Sequence, residues 1–151
     1  MSNAVRKNVN RGYMQLRVWQ DAVELYRMTH QAFQPLPYDL RRIVSQQIGS
    51  VDSIHRNIAE GYCRRSLREY MQFLNYATAS AGESVSGLHV YRQAGHITDA
   101  AFDQMDTVAY RLENGLKRLT ESLQRKQADN SWENSFIVKE SNAAYGEPET
   151  D

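Results

Sequence analysis

The chain has 151 residues with 41% hydrophobic and 24% charged composition, enough for one domain with a real core and no need of metal or disulfide staples. Its single cysteine, Cys63, excludes an internal disulfide and a multi-cysteine zinc site, and no apolar run approaches the ~20 residues that span a bilayer. The net charge of zero divides unevenly: residues 1–126 hold seventeen Lys and Arg against twelve Asp and Glu, whereas residues 127–151 hold one lysine against six acids.

Residues 1–15 are polar and basic and read as a flexible basic arm. No charged-then-apolar leader is expected there, and the default location is cytoplasmic. From Arg17, the positions Val18, Ala22, Leu25, Tyr26, Thr29 and Phe33 recur at helical spacing until Pro35 and Pro37 stop the helix. Asp39 is the expected N-cap of a second helix over 39–60, with Tyr38 and Ile43 forming a hydrophobic staple. Its stripe is Leu40, Ile43, Val44, Gln47, Ile48, Val51, Ile54 and Ile58, and Gly61 is the expected left-handed stop.

Ser66-Leu67-Arg68-Glu69 has the spacing of a capping box and opens a third helix, with the stripe Leu67, Tyr70, Met71, Leu74, Ala77, Thr78, Ala81, Val85 and Leu88. Gly95 closes it, with Ile97 folding back on the last turn. Thr98 caps a fourth helix carrying Phe102, Met105, Val108, Ala109, Leu112, Leu116, Leu119 and Leu123. Short central links force antiparallel neighbours, so the expected fold is all-α: an up-down-up-down antiparallel four-helix bundle over residues 16–126. Residues 127–151 lose the periodicity and read as an acidic, mostly disordered tail, in which Trp132, Phe136, Ile137 and Val138 form an apolar cluster.

Catalysis finds little support. None of His30, His55, His89 and His96 has the glutamate three residues earlier that a di-metal bundle site uses, and the Asp52–His55 pair alone cannot fill a coordination shell. Gly82-Glu83-Ser84-Val85-Ser86 lacks the final glycine of a nucleophile elbow and lies within a helix. Cys63 stands among arginines that favour its thiolate, but reads as an ordinary small residue. No catalytic residue, metal or cofactor is expected.

Asn57 and Glu60 share one face beside Ile54 and Ile58, and the expected role is a hydrogen-bonded network within the bundle or between subunits. Ala77, Ser80, Ser84 and Gly87 form a small-residue face on the third helix, suited either to core contact or to a subunit seam. The topology gathers Arg11, Arg17, Arg64, Arg65, Arg68, Arg118, Arg125 and Lys126 at one pole, where they suit phosphate neutralisation. Tyr62 and Tyr70 nearby are candidates for stacking on unpaired bases.

Two segments carry a family likeness. Leu16-Arg17-Val18-Trp19-Gln20-Asp21-Ala22-Val23-Glu24-Leu25 and Ser53-Ile54-His55-Arg56-Asn57-Ile58-Ala59-Glu60-Gly61 resemble the opening helix and the Ser-Ile-x-x-Asn-Ile-Ala-Glu-Gly motif of a bacterial protein family. These are the four-helix-bundle proteins encoded by intervening sequences of large-subunit ribosomal RNA genes. Arg65, Ser66, Phe73, Ala77, Ser80 and Glu83 also fall where that pattern puts them. The resemblance covers roughly residues 13–120. It implies a homo-oligomeric ring, typically a pentamer, without established catalysis, and a related branch binds nucleic acid as an accessory to retroelement reverse transcriptases. It thereby favours the seam for the small-residue face. Where the family usually shows two arginines, this chain has Gly49 and Ser50. The expected function is a non-enzymatic scaffold or accessory protein associated with RNA, single-stranded DNA or a nucleic-acid-processing protein. The alternative is a protein-protein interaction module that engages its partner through the tail.

Overall fold

The computed structural model describes residues 11–129. Residues 1–10 of the expected arm, and residues 130–151 of the tail with its Trp132, Phe136, Ile137 and Val138, lie outside the described residues. Among the described residues four α-helices make up the fold: α1 (Arg17–Phe33), α2 (Arg41–Tyr62), α3 (Leu67–Gln93) and α4 (Asp99–Ala128), with 3-10 turns at Gly12–Gln15 and Tyr38–Leu40. No strand occurs among the described residues, and no helix there is long and apolar enough to cross a membrane.

The 3-10 turn at Gly12–Gln15 falls within the stretch expected to be a flexible arm. It has anchors: the Tyr13 ring packs on Trp19 and Tyr62, and Gln20 Nε2 donates to the Met14 carbonyl at 3.0 Å. Along α1 the buried positions are Val18, Ala22, Leu25, Thr29 and Phe33, a strict 3.6-residue stripe. Thr29 is accommodated there because its hydroxyl donates to the Leu25 carbonyl at 2.7 Å.

The start of α2 differs from the sequence expectation. Pro37, held at φ −59°, leads into the 3-10 turn, with Leu40 N–H donating to its carbonyl at 2.9 Å. Asp39 is taken up inside that turn and does not cap; the residue before Arg41 is Leu40, without a side-chain cap. Tyr38 is 76% exposed, so no staple forms, and its ring instead carries the Arg41 guanidinium at 4.3 Å. Gly61 also departs from expectation, because α2 runs through it to Tyr62 in ordinary helical geometry. Its function is close approach: a Cβ there would stand 2.7 Å from Phe73 Cβ and 3.2 Å from the Tyr70 carbonyl oxygen.

The other signals hold. Ser66 Oγ accepts from Glu69 N–H at 3.1 Å, and Thr98 Oγ1 accepts from Ala101 N–H at 3.1 Å. Gly95 adopts φ +79°, the conformation that lets Gly95 and His96 N–H close on the Arg92 and Tyr91 carbonyls at the end of α3. Ile97 then folds into the core. The last helix continues two residues beyond the expected Lys126.

Each helix packs on two others: α1 on α2 and α4, and α3 on α2 and α4. Leu25, Ile54, Ile58, Leu74, Leu112 and Leu116 are fully buried between them. Such residues stabilise by roughly 1.5–3 kcal/mol apiece, which is what holds helices with few stabilising surface pairs together.

Candidate nucleic-acid interface

An aromatic cluster fixes the end of the molecule where α1 and α3 begin and α2 finishes. The Tyr62 ring lies edge-on to Tyr13 and Tyr70, with centroids at 6.2 and 5.9 Å, and Tyr13 adjoins Trp19 at 5.7 Å. The Tyr62 hydroxyl occupies the place where a side chain on Gly12 would stand, so the entering chain passes directly over the ring. Tyr70 is buried, and that burial, followed by the nearby Tyr62 phenol, raises its pKa. The indole N–H of Trp19 is buried with no acceptor among the described residues.

This packing corrects the stacking expectation. Tyr70 is a core residue and Tyr62 is half-buried against the Tyr13 and Tyr70 rings, so neither ring stands free for a base. The aromatic surface that remains is Phe73 and Tyr76, with centroids at 5.6 Å. Tyr76 is 47% exposed, and Arg64 lies over the Phe73 ring at 4.8 Å. Sequence patterning missed this pair because both fall just off the core stripe of α3.

Around the cluster stand the basic residues. Arg11 precedes the 3-10 turn, Arg17 opens α1, Arg64 and Arg65 follow α2, and Arg68 lies in the first turn of α3. The fourth helix joins them through Gly115, where a Cβ would lie 2.8 Å from Val18 Cγ1. Arg118 is one turn past that contact, and Arg125 and Lys126 are about 10–12 Å further along α4. The eight cations thus form one group around the cluster and an extension along the last turns of α4. Arg11, Arg17, Arg68, Arg118 and Arg125 are exposed and make no ion pair with another described residue. Arg64 is committed otherwise, pairing with Glu60 at 2.9 Å while it covers Phe73.

Glu60 is therefore a surface residue, and Asn57 Nδ2 donates to the Ser53 carbonyl of its own helix at 2.8 Å. The two do not share the expected network. A polar network exists one face over, between α2 and α3. Gln47 Nε2 donates to the Ser84 carbonyl at 2.9 Å, Ser50 Oγ lies 3.0 Å from Ser84 Oγ, and Ser53 Oγ donates to Ser80 Oγ at 2.7 Å. Gln47 Oε1 fills the space beside Gly87. The small face of Ala77, Ser80, Ser84 and Gly87 thus receives α2 of the same chain, not the subunit seam that the resemblance favoured. The usable signal was Gln47 itself, a polar residue inside an apolar stripe.

Along this seam the pairs run Gln47–Ser84, Ser53–Ser80 and Gly61–Tyr70, with residue numbers rising on α2 as they fall on α3.

The remaining titratable groups are structural in their contacts. Burial raises the Asp52 pKa, but hydrogen bonds from Arg56 at 2.6 Å and His55 at 2.8 Å outweigh it and hold the carboxyl below its usual value. Glu113 moves the other way, raised by burial and by the neighbouring charge of Asp106. No group of three or more His, Cys, Asp or Glu residues that could hold a metal ion occurs among the described residues. Cys63, exposed at the end of α2, stands beside this basic surface.

Residues 14–118 match the family model described as 23S rRNA-intervening sequence protein. No curated protein matches the chain.

Proposed function

The chain belongs to the 23S rRNA-intervening sequence protein family, and we propose that it acts there without catalysis, as a cytoplasmic scaffold or accessory protein associated with nucleic acid. In this reading the four helices form an up-down-up-down antiparallel bundle. The opposite running of α2 and α3 residue numbers along their seam supports that order. Copies assemble into a homo-oligomeric ring, pentameric as the family resemblance implies, which repeats the basic end around one axis.

The observation that carries the nucleic-acid reading is the set of exposed cations at one end, Arg11, Arg17, Arg68, Arg118 and Arg125, none paired with another described residue. Phosphates arriving there release counterions and break no ion pair with another described residue. Phe73 and Tyr76 offer a ring surface to a base exposed by a single strand.

The test is fluorescence anisotropy of a short single-stranded RNA against the full chain over a salt series. Five phosphate contacts predict a logarithmic salt slope of about −3.5. A triple Arg17→Glu, Arg68→Glu, Arg118→Glu variant should abolish binding while its helical content stays unchanged. Binding absent at low salt, or indifferent to the triple variant, refutes the reading and leaves the protein-interaction module as the better account. Light scattering in the same buffer reads the assembly, against 17.4 kDa for one chain.

A further inference from the structure

The position where α4 ends and the charge of the segment beyond it bear on how this surface is used. The last helix runs from its contact with α1 at Gly115 past Arg118 and Arg125 to Ala128, so the chain beyond it starts next to Arg125 and about 15 Å from Arg118. The segment beyond the described residues is 130–151. Those 22 residues carry Glu133, Glu140, Glu147, Glu149 and Asp151 against Lys139 alone. Fully extended they reach at most about 75 Å, well beyond the ~20 Å that separates the end of α4 from its contact with α1. An acidic segment tethered at this distance presents itself to the arginines at an effective concentration in the millimolar range.

We propose that the acidic segment 130–151 is the resident ligand of the basic end: it occupies Arg17, Arg68, Arg118 and Arg125 and is displaced by nucleic acid. The regulatory half of this inference rests on the nucleic-acid reading above; the docking half does not. Carboxylates and phosphates are alternative partners for the same guanidinium groups, and a tethered carboxylate competes with every phosphate that arrives. Exposed charges interact over roughly 8 Å at physiological salt, so the competition is strong at low ionic strength and fades as salt rises.

Cys63 supplies a reporter already placed at the surface in question. In the full chain, Ser141→Cys puts a second thiol in the acidic segment, and the rate of disulfide trapping with Cys63, with oxidised glutathione at fixed concentration as the oxidant, measures residence at the basic end. Cys63 reactivity toward a small disulfide serves as normaliser. Trapping is expected to slow several-fold when salt is raised, and equally when Glu133, Glu140, Glu147, Glu149 and Asp151 are changed to Gln or Asn. A normalised rate indifferent to both changes overturns the proposal, because tethering alone then accounts for the encounters. In the second arm, the neutralised full chain should bind a short single-stranded RNA several-fold more tightly than the unmodified chain at low salt, with the gap closing at high salt. Salt-sensitive trapping with no RNA binding by either chain supports docking and overturns the nucleic-acid reading. RNA binding of equal strength by both chains overturns the competition.

Discussion

Two helix-interior glycines should respond in opposite directions to the same added methyl group. At Gly61 a Cβ would stand 2.7 Å from Phe73 Cβ and 3.2 Å from the Tyr70 carbonyl oxygen. Neither neighbour is the free end of a side chain, so α2 and α3 must separate to admit it. Overpacking of this kind costs about 1–3 kcal/mol, while alanine recovers at most ~1 kcal/mol of helix propensity, less near a helix end. Gly61→Ala should therefore destabilise by about 1–2 kcal/mol, a fall in Tm of roughly 4–8 °C for a domain of this size. At Gly82 nothing lies within 4 Å of the added carbon. Gly82→Ala should accordingly gain about 0.5–1 kcal/mol and raise Tm by roughly 2–4 °C. The assay is thermal unfolding followed by circular dichroism, at one protein concentration because assembly couples to stability. If Gly61→Ala stabilises as much as Gly82→Ala, the close approach of α2 to α3 is wrong.

Gln47→Ala removes the buried bond to the Ser84 carbonyl and opens a gap beside Gly87, so denaturant unfolding should show a loss of about 2 kcal/mol. The exposed neighbour change Gln46→Ala should stay within ~0.5 kcal/mol. Glu113 has a folded pKa raised above its ordinary 4.5, so its ionisation weakens the fold as pH rises through the folded value. Glu113→Gln should then raise Tm at neutral pH and lose that advantage once the pH drops below 4.5. Asp52 has the opposite sign, with a folded pKa held below 3.8. Asp52→Asn should lower Tm at neutral pH, and the deficit should shrink as the pH falls below 3.8; paired melts across pH check both.

How far the residues spoke for themselves depended on the range of the interaction. Ser66, Thr98 and Gly95 act on backbone groups within four residues, and each does what its local pattern predicts. Asp39 fails the same reasoning because Pro37 starts a 3-10 turn first, and two local signals then compete for one stretch of chain. Gly61 has its reason twelve residues away at Phe73, so its pattern suggests a stop where the fold needs a gap. Likewise the small face of α3 is visible in sequence, but which helix covers it is not. The cations could be assigned to one end from helix order alone. That Arg64 is already held by Glu60 and Phe73, and that Tyr62 and Tyr70 are packed, required side-chain positions.

The hydroxyls between α2 and α3 also decide which of several similar dockings these helices adopt. An apolar stripe repeats every turn, so sliding α3 along α2 by four residues would set valine and isoleucine of α2 against leucine and alanine of α3 once more, at nearly equal gain. The same slide carries Gln47 from Gly87, whose missing side chain leaves room for it, to Glu83 or Tyr91, and sets Ser53 against the Tyr76 ring or against Ser84. In the observed position each of these groups has a partner; one notch away, a side chain stands where the Gln47 amide lies or a hydroxyl faces a ring. The seam behaves as a keyed slot: hydrocarbon supplies the grip, and five polar side chains select the notch.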